Sequence, residues 1–150
     1  MPRVRDKGVL SWLYIMRVTN KLQRLESDNL SRFNLTQAQF GVLAHLSANE
    51  GITQQTLSER LFVTKGNVCG LIGRLEERGL VVRSSDPDDR RANHLELTPA
   101  GRELIEQVIP VNDHFINDYM SVLDPDEQET LRILLRRLDK SLPDDALLIS

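Results

Sequence analysis

The sequence predicts a mainly helical fold carrying one small β-hairpin. Three observations predict it. Apolar residues recur at three- and four-residue spacings over long stretches at both ends. Two short helices near the middle are separated only by Leu61-Phe62-Val63. Two strand-like runs, 80–84 and 93–97, then flank a polar loop.

The first helix is expected over 8–31, where Val9, Trp12, Leu13, Ile15, Met16, Val18, Leu22 and Leu25 make it apolar on more than one side. Thr36 and Gln39, in capping-box spacing, open a second helix with Phe40, Leu43 and Leu46 as its buried stripe, ending near Asn49-Glu50-Gly51. A third, short helix has Thr53 as N-cap, Ile52 and Leu57 as a hydrophobic staple, and Leu57 and Leu61 inward. The pattern repeats in a fourth helix. Thr64 caps it, Val63 and Val68 staple it, Leu71, Ile72 and Leu75 face inward, and Gly79 terminates it.

Two helices joined so tightly, the second with the polar first turn Thr64-Lys65-Gly66-Asn67, are what a helix-turn-helix requires. The strands follow directly, the second alternating strictly in polarity. Between them Asp86-Pro87-Asp88-Asp89-Arg90-Arg91 is too long for a two-residue turn, so a hairpin tipped with paired arginines stands beside the helix as a wing. Thr98-Pro99 opens a fifth helix with the stripe Leu104, Val108, Phe115 and Tyr119, which Pro110 is expected to bend or interrupt. Asp124-Pro125-Asp126-Glu127 opens the last, lined by Leu131, Leu134, Leu135 and Leu138. The first, fifth and sixth helices carry more apolar surface than so small a core can cover, and a second subunit accounts for the excess.

The expected architecture is therefore one domain over 1–150. Residues 36–98 form the winged helix-turn-helix lobe, and 8–32 and 99–141 supply the dimerisation helices.

Composition agrees in kind but not strongly. Net charge is −3, whereas affinity for phosphate backbones comes from clustered Lys and Arg. Between Thr53 and Arg102, however, eight basic residues face seven acidic ones, so this segment carries +1 and the remainder −4. No apolar stretch reaches the ~20 residues of a membrane span. The polar basic start lacks a signal-peptide pattern, and the single Cys69 makes neither an intramolecular disulfide nor a zinc site. The expected location is the cytoplasm. No metal-ligand spacing, nucleophile–base motif or phosphate loop is visible, so neither a cofactor nor an enzymatic activity is expected.

In order and spacing, the segments 35–40, 57–61, 66–68, 75–81, 86–92 and 97–101 resemble the MarR family of bacterial regulators, and the resemblance extends from about Gly8 to Leu138. It implies an obligate homodimer with a winged lobe on each subunit, bound to a pseudo-palindromic operator in double-stranded DNA. Such regulators usually repress nearby genes and are often released by a small aromatic or phenolic ligand or by oxidation. On the matching positions the fourth helix enters the major groove, where Thr64, Lys65, Asn67 and Cys69 reach base edges or phosphates, with Gly66 and Arg74 on the same helix. Asn pairs bidentately with adenine and Lys donates to guanine. Arg91 with Asp89 matches the family's wing-tip pair, the arginine in the minor groove and the aspartate holding it, while Arg90 meets phosphate.

Several residues keep more than one reading. Gly66, Gly70 and Gly73 each cost about 1 kcal/mol in a helix relative to Ala, and they admit either close approach to DNA or close helix packing. Trp12, Met16, His45 and His114 are candidates for a ligand pocket, although aromatic and Met residues at helical spacing are more often core. Cys69 suggests a redox-responsive repressor. A winged-helix protein-interaction module without DNA binding is the remaining alternative, in which Lys65, Arg90 and Arg91 would be superfluous.

Overall fold

The computed structural model describes residues 6–61, 65–85, 88 and 93–143. Within them the chain runs α1 (Lys7–Ser31), α2 (Gln37–Ala48), β1 (Ile52–Thr53), α3 (Gln54–Arg60), α4 (Lys65–Glu77), β2 (Val81–Ser85), β3 (Asn93–Leu97), α5 (Pro99–Met120) and α6 (Pro125–Ser141). The strands form one antiparallel sheet in the order β1-β3-β2, with Ile52 opposite Leu95 and Val81 opposite Leu97.

Helix starts follow local chemistry. The Thr36 hydroxyl accepts from the Gln39 N–H at 3.1 Å, and the Gln39 side chain accepts from the Thr36 N–H at 3.1 Å. Asp124 and Glu127 make the same reciprocal pair at 2.9 Å each. Thr53 caps α3 through the Thr56 N–H and Thr98 caps α5 through the Gly101 N–H. Each satisfies N–H groups that a helix start leaves without partners. The Thr64 cap lies outside the described residues. At the far end of α4, Gly79 takes φ +69° and its N–H donates to Glu76, while the Leu80 N–H donates to the Leu75 carbonyl, closing the helix.

The core gathers Leu30 of α1, Val42, Leu43 and Leu46 of α2, Leu57 of α3, and Val68, Ile72 and Leu75 of α4. Leu95 of β3 and Ile105 and Val108 of α5 complete it, all fully buried. Three sequence expectations are extended or changed. Ile52-Thr53, read only as staple and cap, also forms a strand, because the Gly51 N–H donates to the Leu95 carbonyl and draws the segment onto β3. The buried stripe of α5 is Gly101, Ile105, Val108 and Asn112. Of the expected residues Val108 is buried, Leu104 and Phe115 are half-buried, and Tyr119 is exposed with its ring edge-on to Phe115. Of the two effects expected of Pro110, bending or interrupting α5, interruption does not occur, because α5 runs on to Met120. Pro110 lies on an exposed face, where water can satisfy the carbonyl its missing N–H leaves unpaired.

Candidate nucleic-acid interface

The inner face of α4 is anchored by Val68, Ile72 and Leu75, so the helical repeat of ~3.6 residues turns Gly66, Gly70 and Gly73 to the opposite side. Asn67, Cys69, Gly70 and Arg74 are exposed. A Cβ built at Gly66, Gly70 or Gly73 would meet nothing within 4 Å. No described element packs on these glycines, so nothing within the described residues supports the helix-packing reading, and the outer face is poor in side chains. Lys65 begins the helix, but its side chain lies outside the described residues, as do Thr64, Asp89, Arg90 and Arg91.

The frame holding α4 includes residues that sequence reasoning missed. Arg83 on β2 donates from Nε to a Glu76 carboxylate oxygen at 2.7 Å, its Nη2 is 2.6 Å from the same oxygen, and Nη1 reaches Gln54 of α3 at 3.3 Å. The Glu76 bond raises the Arg83 pKa above its already high ordinary value; burial opposes this, and a hydrogen bond with the Cys69 thiol adds to the rise. Just past the same end of the helix, Arg78 donates to the Asn34 carbonyl at 2.8 Å, tying the end of α4 to the α1–α2 turn, where Asn34 itself takes φ +54°. In sequence these arginines counted only as charge. A Glu seven residues before a strand Arg was the one available signal, and it is weak.

A polar junction joins the winged lobe to the terminal helices. Glu26 of α1 accepts from Gln37 at the start of α2 at 2.6 Å and from the buried Asn112 of α5 at 3.0 Å. Toward the chain ends, α1, α5 and α6 enclose an open apolar groove of about 640 Å³, lined by Tyr14, Ile15, Val18, Leu22, Met120, Leu131, Leu134, Leu135 and Leu138.

None of the four suggested ligand residues lines this groove. Trp12 and Met16 are exposed on α1. His45 is half-buried, with Nδ1 2.9 Å from the Gly41 carbonyl oxygen, and His114 stands in solvent 3.4 Å from Asp118. In a single chain they are thus not gathered around it. Among the described residues no group of His, Cys, Asp and Glu could hold a metal ion, and no helix is long and apolar enough to cross a membrane.

Comparison with known proteins gives a consistent result. A family model described as the MarR family matches residues 33–92. An uncharacterised HTH-type transcriptional regulator of Bacillus cereus is 34% identical over 134 residues, 89% of each chain. The transcriptional regulator HosA of Escherichia coli is 32% identical, covering 79% of this chain and 92% of that one. Among solved structures, S. aureus MepR in complex with DNA superposes with a TM-score of 0.80 at 28% identity over 88% of this chain and 97% of that one. Wild-type E. coli MarR without ligand gives 0.72 at 32% identity, over 94% and 99%.

Proposed function

The chain belongs to the MarR family of transcription regulators, and from that premise we propose that it is a sequence-specific DNA-binding repressor of nearby genes. It works as a homodimer on a pseudo-palindromic operator and is released by a small aromatic or phenolic ligand. Like its relatives it is a regulator and not an enzyme. The observation that carries the DNA reading is the uncovered outer face of α4 beside the β2–β3 hairpin. A helix presented this way fits the major groove, and in this reading the segment between β2 and β3, with Arg90 and Arg91, serves as the wing to the adjacent minor groove.

In this reading Lys65, Asn67 and Arg74 meet bases or phosphates, and Arg91, steadied by Asp89, enters the minor groove. Arg91→Ala weakens operator binding by about 1–3 kcal/mol per half-site and leaves the melting temperature unchanged. Asp89→Ala also weakens binding, although it removes a negative charge near DNA, because the freed arginine loses more side-chain entropy when it is ordered. Anisotropy titrations at fixed salt check both; tighter binding by Asp89→Ala eliminates the positioning role. A protein-interaction module is separated by salt: only a DNA binder loses affinity steeply for random duplex as ionic strength rises.

Effector release is tested with a panel of aromatic acids and phenols. A true effector raises the melting temperature and weakens operator binding together, since it must favour the non-binding dimer by its differential affinity. The redox variant is favoured by the exposure of Cys69 on α4. It requires peroxide to abolish binding in the wild type and to spare Cys69→Ser.

A further inference from the structure

We propose that Arg83 is a positioning residue for DNA binding, clamping the root of the β2–β3 hairpin to α4 through Glu76 and to α3 through Gln54. The proposal rests on the reading of α4 and the hairpin as the DNA-contacting elements.

Arg83 stands on the wrong side of its strand for a solvated charge. Alternation along β2 places it with buried Val81 rather than exposed Val82, and its cross-strand neighbour Leu95 is fully buried. A cation so placed is costly unless paired. Here the guanidinium fork fills the role: Nε and Nη2 converge on one Glu76 oxygen while Nη1 turns to Gln54, so one side chain joins three elements. The side chains of Arg83 and Glu76 are only 28% and 32% exposed, which shields the pair from the screening that weakens ordinary surface pairs.

The geometry matters because β2 continues only to Ser85 before the polar loop. A small rotation at Arg83 therefore turns the end of β2 relative to α4, and a groove-reading helix and a minor-groove wing must engage in fixed register. An ammonium cannot replace the fork, since Lys offers a point charge without the planar set of donors. The competing role for Arg83, a direct phosphate contact, predicts opposite signs. Removing Glu76 would then free a cation and delete a negative charge near DNA.

The test uses the full-length chain and a duplex enriched from a random pool by the wild-type protein. At fixed salt, Glu76→Ala and Arg83→Lys, measured well below their lowered melting temperatures where both chains are folded, each weaken binding about tenfold, the scale of coupling within one connected network. The exchange Glu76→Arg with Arg83→Glu recovers most of the loss seen with Glu76→Arg alone. Amide exchange in β2 and β3 is faster in the folded single variants. If Glu76→Ala fails to fold, Glu76→Gln, which keeps an acceptor, takes its place with a smaller loss in the same direction. Unchanged or tighter binding by the Glu76 variant, or an exchange no better than Glu76→Arg alone, overturns the clamp. A wild-type protein that enriches no duplex removes the DNA-binding reading itself, and the clamp with it; a binding wild type with indifferent variants removes the clamp alone.

Discussion

The winged lobe and the last helix use the same amino acid in opposite ways. In the lobe Leu43, Leu46, Leu57, Leu75 and Leu95 are fully buried. In α6, none of the seventeen residues is buried, and Leu134, Leu135 and Leu138 stand 52, 41 and 45% exposed. Helix α1 contains both regimes: Leu30 near its end is fully buried, whereas Trp12 and Tyr14 are 58 and 63% exposed. The lobe's core is therefore closed within one chain, with help from Leu30 of α1 and Ile105 and Val108 of α5, while α6 and the first half of α1 present apolar faces that the described residues leave uncovered. A contiguous face of this kind marks an association surface.

The most drastic way to break the contrast is to delete it. Removing residues 124–150 takes away α6 and exposes the apolar surface it leaves on α1 and α5, and it should abolish the folded dimer. A truncated chain that sediments as a soluble, folded dimer would refute the assignment of α6 to the subunit contact.

Single leucines sharpen it. Leu46→Ala should cost about 2–5 kcal/mol of stability, as cavities in closed cores do, at every protein concentration. Leu135→Ala should instead lower the melting temperature by an amount that depends on concentration, because in the proposed homodimer its burial comes from a second chain. Denaturation of both variants over a hundredfold dilution distinguishes them; an equal, concentration-independent loss contradicts the partnered face.

Glycines extend the comparison to the backbone. A Cβ at Gly101 would overlap the Leu80 carbonyl oxygen, at the point where the Thr98 N–H also donates to that oxygen at 3.1 Å. Gly101→Ala should therefore destabilise the chain by about 3 kcal/mol, the upper end of overpacking costs, because a backbone atom cannot step aside. Gly70 lies on the uncovered face of α4 and leaves room for a methyl group. There Gly70→Ala should stabilise folding by about 0.5–1 kcal/mol through helix propensity, yet weaken DNA binding if that face approaches the duplex closely. Thermal melts and anisotropy read the two effects separately. A variant more stable and equally tight would show that the bare face is not required for docking.

What could be read before folding was local. Thr36 with Gln39 and Asp124 with Glu127 announce helix starts, because a cap and its N–H partners lie within four residues. The repeat of Leu71, Ile72 and Leu75 oriented α4, Ile72 and Leu75 being fully buried and Leu71 half-buried, and the hairpin's polar loop marked the wing. By contrast, the stripe of α5 was misplaced, since its buried row includes Gly101 and Asn112, residue types that carry no apolar signal. Asn112 earns its burial from Glu26, 86 positions away.

Amino-acid order by itself thus determined the helices, the hairpin, the caps at Thr36, Thr53, Thr98 and Asp124 and the surplus of apolar surface, all set by interactions over a few residues or by composition. Tertiary structure alone decided the rest. It drew Ile52-Thr53 onto β3, pressed Gly101 against Leu80, showed that the glycines of α4 face open space, and brought Arg83 to Glu76 and Gln54. Each of these depends on the distance between segments far apart in the chain, and periodicity encodes which face of an element is buried but not what it is buried against.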